Sequence, residues 1–320
     1  MRRHPGSDEA ALDLEEGSSA GVEAASTAAA PYVGPRPFER GEGRFYGRDR
    51  EALDLMYLAI AHPTVLLYAE SGAGKTSLVN AKLIPMLERK GCHVLPVARV
   101  RGTTYDFDSS RIENIFVFHI LASWTDSPQT EASRLAQATV LGELKRISAE
   151  LAGECDEIPQ IVAVLDQFEE LFTHYDHRWA ERRDLFVQIG QALEALPNLR
   201  ILFSMREDYV AGMDSFAPLL PGTLRTRFRL ERLRRESALE AIRRPMVDVG
   251  RQFLPGVAER LVDDLMKIRV ARRDPHAGTQ ALDIDLSLTY VQSPTGTTSV
   301  DLPVINPDLP PHGDEFIQAE

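Results

Sequence analysis

The segment with the clearest chemistry is Ala69-Glu70-Ser71-Gly72-Ala73-Gly74-Lys75-Thr76. Its spacing is that of a P-loop, with Ala69 where the strict pattern has glycine, and only a small residue is needed there. Gly72 and Gly74 let the backbone curl so that its N–H groups face the β- and γ-phosphates of a nucleotide. A helix starting at Lys75 adds the partial positive charge of its N-terminus. Lys75 would bridge the phosphates, and Thr76 would place its hydroxyl on Mg²⁺. Ser71, Ala73 and Ser77 complete the expected cradle.

A P-loop needs a second site for the metal. Asp166 supplies one, at the end of the apolar run Ile161-Val162-Ala163-Val164-Leu165, where ligands of open α/β sheets bind. It would hold Mg²⁺ through a water. Gln167-Phe168-Glu169-Glu170 follows. Glu169, ahead of Glu170, could orient or deprotonate the attacking water; the alternative is an acidic helix start facing solvent. In Ser204-Met205-Arg206-Glu207-Asp208, at the end of the next apolar run, Arg206 could point a charged, planar fork at the γ-phosphate. The alternative for Arg206 is a surface pair with Glu207 or Asp208.

The elements that must position these residues follow from periodicity. Thr64–Tyr68, Val94–Val100, Ile161–Leu165 and Arg200–Ser204 read as buried strands. Helices are predicted near Arg50–Ala61, with Leu53, Met56, Tyr57 and Ile60 on one face, and over Lys75–Ile84, where Pro85 would bend or end the helix. Glu113–Ala122, Leu141–Leu151 and Trp179–Leu196 also read as helical, the last with Leu185, Phe186, Ile189 and Leu193 on one face. Strands alternating with helices imply an α/β fold whose mostly parallel sheet is covered by helices on both faces. After residue 232 come two more helices, Glu236–Arg244, stopped by Pro245, and Val257–Ile268, with Val257, Leu261, Leu265 and Ile268 inward. Residues 293–313 read as coil.

This divides the chain into a disordered leader (1–30), a P-loop NTPase domain (31–232), a partial C-terminal helical lid (233–270) and an irregular tail (271–320). The leader is rich in Ala, Ser, Gly and Glu, and has too little apolar surface to offset its ordering entropy.

With 36 Lys and Arg against 48 Asp and Glu, the net charge is −12. That balance makes nucleic acid a poor partner, since phosphate contacts need clustered cations. A local basic stretch exists at Arg225, Arg227, Arg229, Arg232, Arg234, Arg235, Arg243 and Arg244. It could supply an arginine finger to a neighbour's nucleotide, touch nucleic acid, or form a solvated surface paired with carboxylates such as Glu231 and Glu236. The two cysteines, Cys92 and Cys155, are expected as free thiols. No run approaches the ~18 apolar residues that span a bilayer, and no secretory leader is present, so the expected compartment is the cytoplasm, with no membrane partner.

Taken together, several segments resemble the novel STAND NTPase family, type one, relatives of the AP-ATPases and NACHT proteins. They are Tyr32-Val33-Gly34-Pro35-Arg36-Pro37-Phe38, Phe45-Tyr46-Gly47-Arg48-Asp49, the P-loop, Val164-Leu165-Asp166-Gln167-Phe168-Glu169-Glu170-Leu171-Phe172 and Met205-Arg206-Glu207-Asp208. The likeness covers roughly residues 31–270. It implies an ATP- and Mg²⁺-binding signalling switch that exchanges ATP for ADP and changes its self-association or its protein partner. ATP over GTP rests on the resemblance, as no guanine-reading N-K-x-D motif is present. Two other functions stay open: a nucleotide-binding scaffold with little hydrolysis, and a DNA-directed AAA-type ATPase. The resemblance also implies that Tyr46, Gly47 and Arg48 lie over the adenine, that Asp166 binds the metal, that Glu169 serves hydrolysis, that Arg206 is the sensor, and that Pro245 lets the lid touch the base. Relatives usually continue into further helices and sensor repeats, and a truncated or frame-shifted C-terminus is one reading of the tail that stays open.

Overall fold

The computed structural model describes residues 31–105, 107–154, 157–271, 291–292 and 298–299. The leader 1–30, Cys155 and all of the tail after 271 except those two residue pairs lie outside the described residues. Thr298–Ser299, within the stretch expected as coil, pairs antiparallel with Val291–Gln292.

Five parallel strands form the sheet: β1 (Thr64–Ala69), β2 (His93–Val94), β3 (Ile161–Leu165), β4 (Leu199–Arg206) and β5 (Arg227–Arg229), in the order β2-β3-β4-β1-β5. Successive side chains of a strand leave on opposite faces, and both faces are buried. Leu66, Ala163, Leu165, Ile201, Phe203 and Met205 pack with the helices Ile115–Ser123, Val140–Glu154 and Ala180–Ala195. Val65, Leu67, Ala69, Val162, Val164 and Leu202 pack on the other side with the helix Asp49–Ala61 and the helix after the P-loop. Each such Val, Leu, Ile, Phe or Met side chain contributes about 1.5–3 kcal/mol by leaving water. Helices therefore cover both faces, as the alternation predicts. In Ala180–Ala195 the buried face includes Leu185, Phe186, Ile189 and Leu193.

Several expectations need correction. The strand read over Val94–Val100 is two residues long, and only Ala98 bridges to β3 again, at Leu165. Pro96 has no N–H to give the ladder. Leu95 N–H reaches Val162 O and Ala98 N–H reaches Val164 O, so three steps of one chain face two of the other, a bulge. Pro85 does not end the P-loop helix. Lys75–Leu78 passes through a π-turn, Val79–Leu83, into Ile84–Arg89, and the wider turn places the proline in a first-turn position where no N–H is required. Pro245 does not stop its helix either: Arg235–Asp248 runs through it, with Pro245 and Met246 buried. In the helix Asp49–Ala61 the buried residues are Ala52, Leu55, Met56 and Ala59, while Leu53 and Tyr57 are exposed. The small alanines let the helix approach the sheet on a face one residue away from the expected one. In Val257–Ala271, among the residues whose burial is described, Ala258 and Val262 are buried and Val257, Leu261 and Leu265 are half-buried; the expectation for Ile268 lies outside the described residues.

Candidate functional site

The site forms where β1, β3 and β4 end together. The β1–β4 register pairs Leu67 with Ser204 and Ala69 with Arg206, and the β3–β4 register pairs Leu165 with Phe203, so Asp166 falls level with Ser204. Period-2 alternation then selects what faces the P-loop. Asp166 continues the series Val162, Val164, and Ser204 continues Leu202, on the face packed by the P-loop helix. Asp166 is 2% exposed and Ser204 fully buried. Thr76 Oγ1 donates to Asp166 Oδ2 at 2.7 Å, and Ser204 Oγ donates to Asp166 Oδ1 at 2.6 Å.

Gly74 sits at φ +92°, a left-handed conformation open to glycine, and leads directly into the helix at Lys75. Lys75 Nζ donates to the carbonyls of Ala69 and Glu70, both at 3.3 Å. Burial pulls the Lys75 pKa down, and the nearby carboxylates of Glu169 and Asp166 pull it back up. Glu169 Oε2 accepts the Arg206 N–H at 3.2 Å. The Arg206 guanidinium is held at 2.6 Å by Asp208 and lies 5.9 Å from the Tyr209 ring centre, and among the described residues its buried Nε has no partner. Glu170 points elsewhere: burial raises its pKa, Arg99 and Arg101 oppose that, and its Oε2 is buried without a partner among the described residues. The structure thus brings Lys75, Thr76, Asp166, Glu169 and Arg206 to one edge and sets Glu170 in a different environment.

Thr76 and Asp166 present hard oxygen donors side by side. Among the described residues no group of three or more His, Cys, Asp or Glu could form a cage of its own. That pairing suits Mg²⁺, which is usually held by one or two carboxylates together with waters and substrate phosphates.

Residues 31–48 run as a strap between the P-loop helix and the C-terminal helix pair. Phe38 N–H donates to Ser77 Oγ and Asn80 Nδ2 to Phe38 O, so Ser77 anchors this strap. Arg48 is buried and clamped to Glu51 and to the Ala73 carbonyl. Gly47, at φ +79°, lies so close to the helix Arg235–Asp248 that a Cβ there would sit 2.3 Å from Ser237 O. The Tyr46 ring has Arg244 5.0 Å and Lys82 5.9 Å from its centre, and its hydroxyl donates to Asp248. The Tyr32 hydroxyl donates to Ile242 O at 2.7 Å, in the turn before Pro245. Ser71, Gly72 and Ala73 line the loop itself. Of the eight arginines in the basic stretch, Arg227, Arg229, Arg232, Arg234, Arg235, Arg243 and Arg244 pair with carboxylates, Arg234 with Glu231 and Arg232 with Glu70 of the P-loop.

Sequence reasoning missed Ser204, which it took only as a strand end, and Tyr32. The signal for Ser204 was available: it is the one hydroxyl in the apolar run before Arg206, on the alternation that also carries Arg206.

The family described as Novel STAND NTPase 1 has a sequence model that matches residues 31–281. No curated protein matches the chain. Among solved structures, the Walker-type ATPase PABY2304 of Pyrococcus abyssi is similar at 17% identity and a TM-score of 0.49, covering 71% of this chain and 65% of its own. The Aeropyrum pernix ORC2 protein, in ADPNP–ADP complexes, gives 15% and 0.41, covering 74% and 65%. AMPPCP-bound DnaA of Aquifex aeolicus gives 16% and 0.37, covering 75% and 64%. The chain thus spans just under two thirds of the length of these solved chains, and likenesses this distant carry no argument about function. The expectation that nucleic acid is a poor partner finds no support in the fold or in these comparisons. Among the described residues no helix is long and apolar enough to cross a membrane.

Proposed function

The chain belongs to the Novel STAND NTPase 1 family, and from that premise we propose that it is an ATP-dependent switch. It binds ATP with Mg²⁺ at the P-loop, hydrolyses it, and changes its association with itself or a protein partner according to the nucleotide held. The observation that carries this reading is the hydrogen-bonded set joining Thr76, Asp166 and Ser204, with Lys75 and Glu169 beside it.

In this reading Asp166 and Thr76 would hold Mg²⁺, which would supply charge neutralisation to the triphosphate, and the N–H groups of Gly72 to Thr76 wrap the phosphates. Lys75, which donates to the carbonyls of Ala69 and Glu70, turns to phosphate oxygens. Glu169 orients the attacking water and accepts its proton, and Arg206 turns from Asp208 to the γ-phosphate. The strap 31–48 and the lid helices enclose the base.

The present engagement of Glu169 with the Arg206 N–H, and of Arg206 with Asp208, favours a second reading. In it the protein holds nucleotide as a scaffold and turns it over slowly. Calorimetry with ATP and GTP in Mg²⁺, on the native chain and on Lys75→Ala, tests the shared premise. ATP affinity unchanged by Lys75→Ala overturns it. Steady-state turnover by the purified protein separates switch from scaffold, and light scattering with a non-hydrolysable ATP analogue tests nucleotide-dependent association.

A further inference from the structure

Arg48 is a buried cation that faces the P-loop from outside the sheet. It is 4% exposed, and its guanidinium divides between two acceptors: Nη1 donates to Glu51 at 2.9 Å and Nη2 to the Ala73 carbonyl at 3.2 Å. Its own carbonyl accepts the Ala52 N–H at 2.9 Å, which fixes its backbone at the start of the helix Asp49–Ala61. A buried charge persists only where it is paired and hydrogen-bonded. Here one partner is a carboxylate of the same helix, and the other is a backbone oxygen inside the P-loop. The resemblance lays Arg48 over the base, but a side chain this enclosed has almost no face left to offer one.

Resting on the P-loop reading, we propose that Arg48 is a positioning residue for the phosphates and not a contact for the base: it anchors the Ala73–Gly74 peptide so that the Gly74 N–H faces the phosphate cradle before a nucleotide arrives. A trans peptide sets its C=O and N–H on opposite sides. A cation that holds the Ala73 oxygen therefore also holds the Gly74 N–H pointing the other way. The loop needs such an anchor, because Gly72 at φ +72° and Gly74 at φ +92° flank this peptide with backbone that turns easily. Left to itself the peptide has more than one orientation, and binding would have to select one. Fixing it in advance removes that cost, which is how preorganisation raises affinity.

The test is calorimetric titration of the full chain, in Mg²⁺, with ATP and with tripolyphosphate, which has neither base nor sugar. It compares the native protein with Arg48→Met, Arg48→Lys and Glu51→Gln. Thermal melts report that each variant is folded. Methionine fills the stem's space and has no donor. Lysine keeps one cationic donor and carries the test if methionine is not tolerated. Glu51→Gln still offers Arg48 an acceptor oxygen, so it weakens the helix start and spares the loop. The expected result for Arg48→Met is a loss of about tenfold or more in tripolyphosphate affinity, the scale of a hydrogen bond to a charged group, and a loss by the same factor for ATP. Arg48→Lys should fall between Arg48→Met and native, and Glu51→Gln should stay close to native. Native tripolyphosphate affinity in both Arg48 variants overturns the proposal, and a loss confined to ATP would return Arg48 to the base. A loss in Glu51→Gln equal to that in Arg48→Met also overturns it, as the mark of a merely structural role. So does a native chain that binds ATP and not tripolyphosphate, because a loop set in advance needs no base. If the native chain binds neither, the P-loop reading fails and takes this inference with it.

Discussion

The two walls of the cleft are held by different physics. On the sheet side the functional groups are polar, buried and bonded to one another: Asp166 is 2% exposed and takes hydrogen bonds from Thr76 and from the fully buried Ser204. Losing one such bond leaves a buried polar atom unsatisfied, at about 1–3 kcal/mol. On the lid side the helices Arg235–Asp248 and Val257–Ala271 are tied to each other by the half-exposed pairs Arg235–Asp263 and Arg243–Glu259. Their ties to the body include the Arg232–Glu70 pair and the hydroxyls of Tyr32 and Tyr46. Exposed ion pairs contribute about 0–1 kcal/mol each. One wall is tied by buried bonds and the other largely by exposed ones, so a ligand that bridged both would shift the second against the first by its differential affinity. The comparison also teaches where to cut: changes on the sheet side should alter chemistry or global stability, and changes on the lid side should alter only the position of the lid.

The largest effect is expected at Glu169. Glu169→Gln should lower turnover by about a hundred- to ten-thousandfold, the usual contribution of a positioned general base, while ATP affinity stays close to native. Glu170→Gln should change turnover little, because Glu170 sits among Arg99 and Arg101 rather than beside Lys75. Single-turnover kinetics decide between them, and the reverse pattern would exchange the two assignments.

The next effect is a dependence of the body's stability on pH. His119 is buried on the far face of the sheet, where it meets the Tyr175 hydroxyl at 3.0 Å, and burial pushes its pKa from 6.5 down to about 4. The unfolded chain therefore takes up a proton first as pH falls. Stability is fully present above pH 6.5 and is lost between pH 6.5 and 4, by about 3 kcal/mol at most. Denaturant unfolding at several pH values should show this loss, and His119→Gln should flatten it. An unchanged slope in the variant would assign the acid sensitivity to other groups.

The same contrast explains what could be read from the sequence. Phosphate chemistry demands particular residues at fixed spacing, so Lys75, Thr76, Asp166 and Arg206 were legible, and so were β3 and β4, whose apolar runs are buried on both faces. Elements fixed by packing were less legible. β5 reads Arg227-Phe228-Arg229, an edge strand whose charges conceal its pairing with β1. The helix Pro128–Leu135 is polar, and only Ser127 followed by a first-turn proline announces it. Pro245 was read as a stop, and Pro85 as a bend or an end, because a π-turn and the burial of a proline within a helix depend on partners far along the chain. Ser204 was visible as a hydroxyl, but its bond to Asp166 depends on the strand register, which alternation alone does not supply.

Gly47 tests the junction between the two walls. It is at φ +79°, and a Cβ would lie 2.3 Å from the backbone oxygen of Ser237. Gly47→Ala should cost about 1–3 kcal/mol locally through the left-handed backbone, and the helix Arg235–Asp248 must move away. Hydrogen exchange should rise across residues 235–248 and stay native in β1, β3 and β4. Equal loosening of the sheet would show that the walls are coupled more tightly than their contacts suggest.

The smallest effect separates two roles for one ring. The resemblance places Tyr46 over the adenine, yet here its ring lies near Arg244 and Lys82 and its hydroxyl binds Asp248. If the ring covers the base, Tyr46→Phe should be silent, since phenylalanine stacks as well. If the residue latches the lid, Tyr46→Phe should match Asp248→Asn, because each weakens or removes the same bond, at about 1 kcal/mol or less. Both variants should then increase cleavage by limited proteolysis between residues 230 and 250 in the absence of nucleotide, and Tyr46→Ala should add a further loss as the flanking cations lose their ring. ATP should suppress the extra cleavage in Tyr46→Phe and Asp248→Asn, because a ligand touching both walls replaces the missing tie. Native cleavage in Tyr46→Phe together with weakened ATP binding in Tyr46→Ala would return Tyr46 to the base and leave Tyr32, Gly47 and the Arg232–Glu70 pair among the contacts that hold these helices.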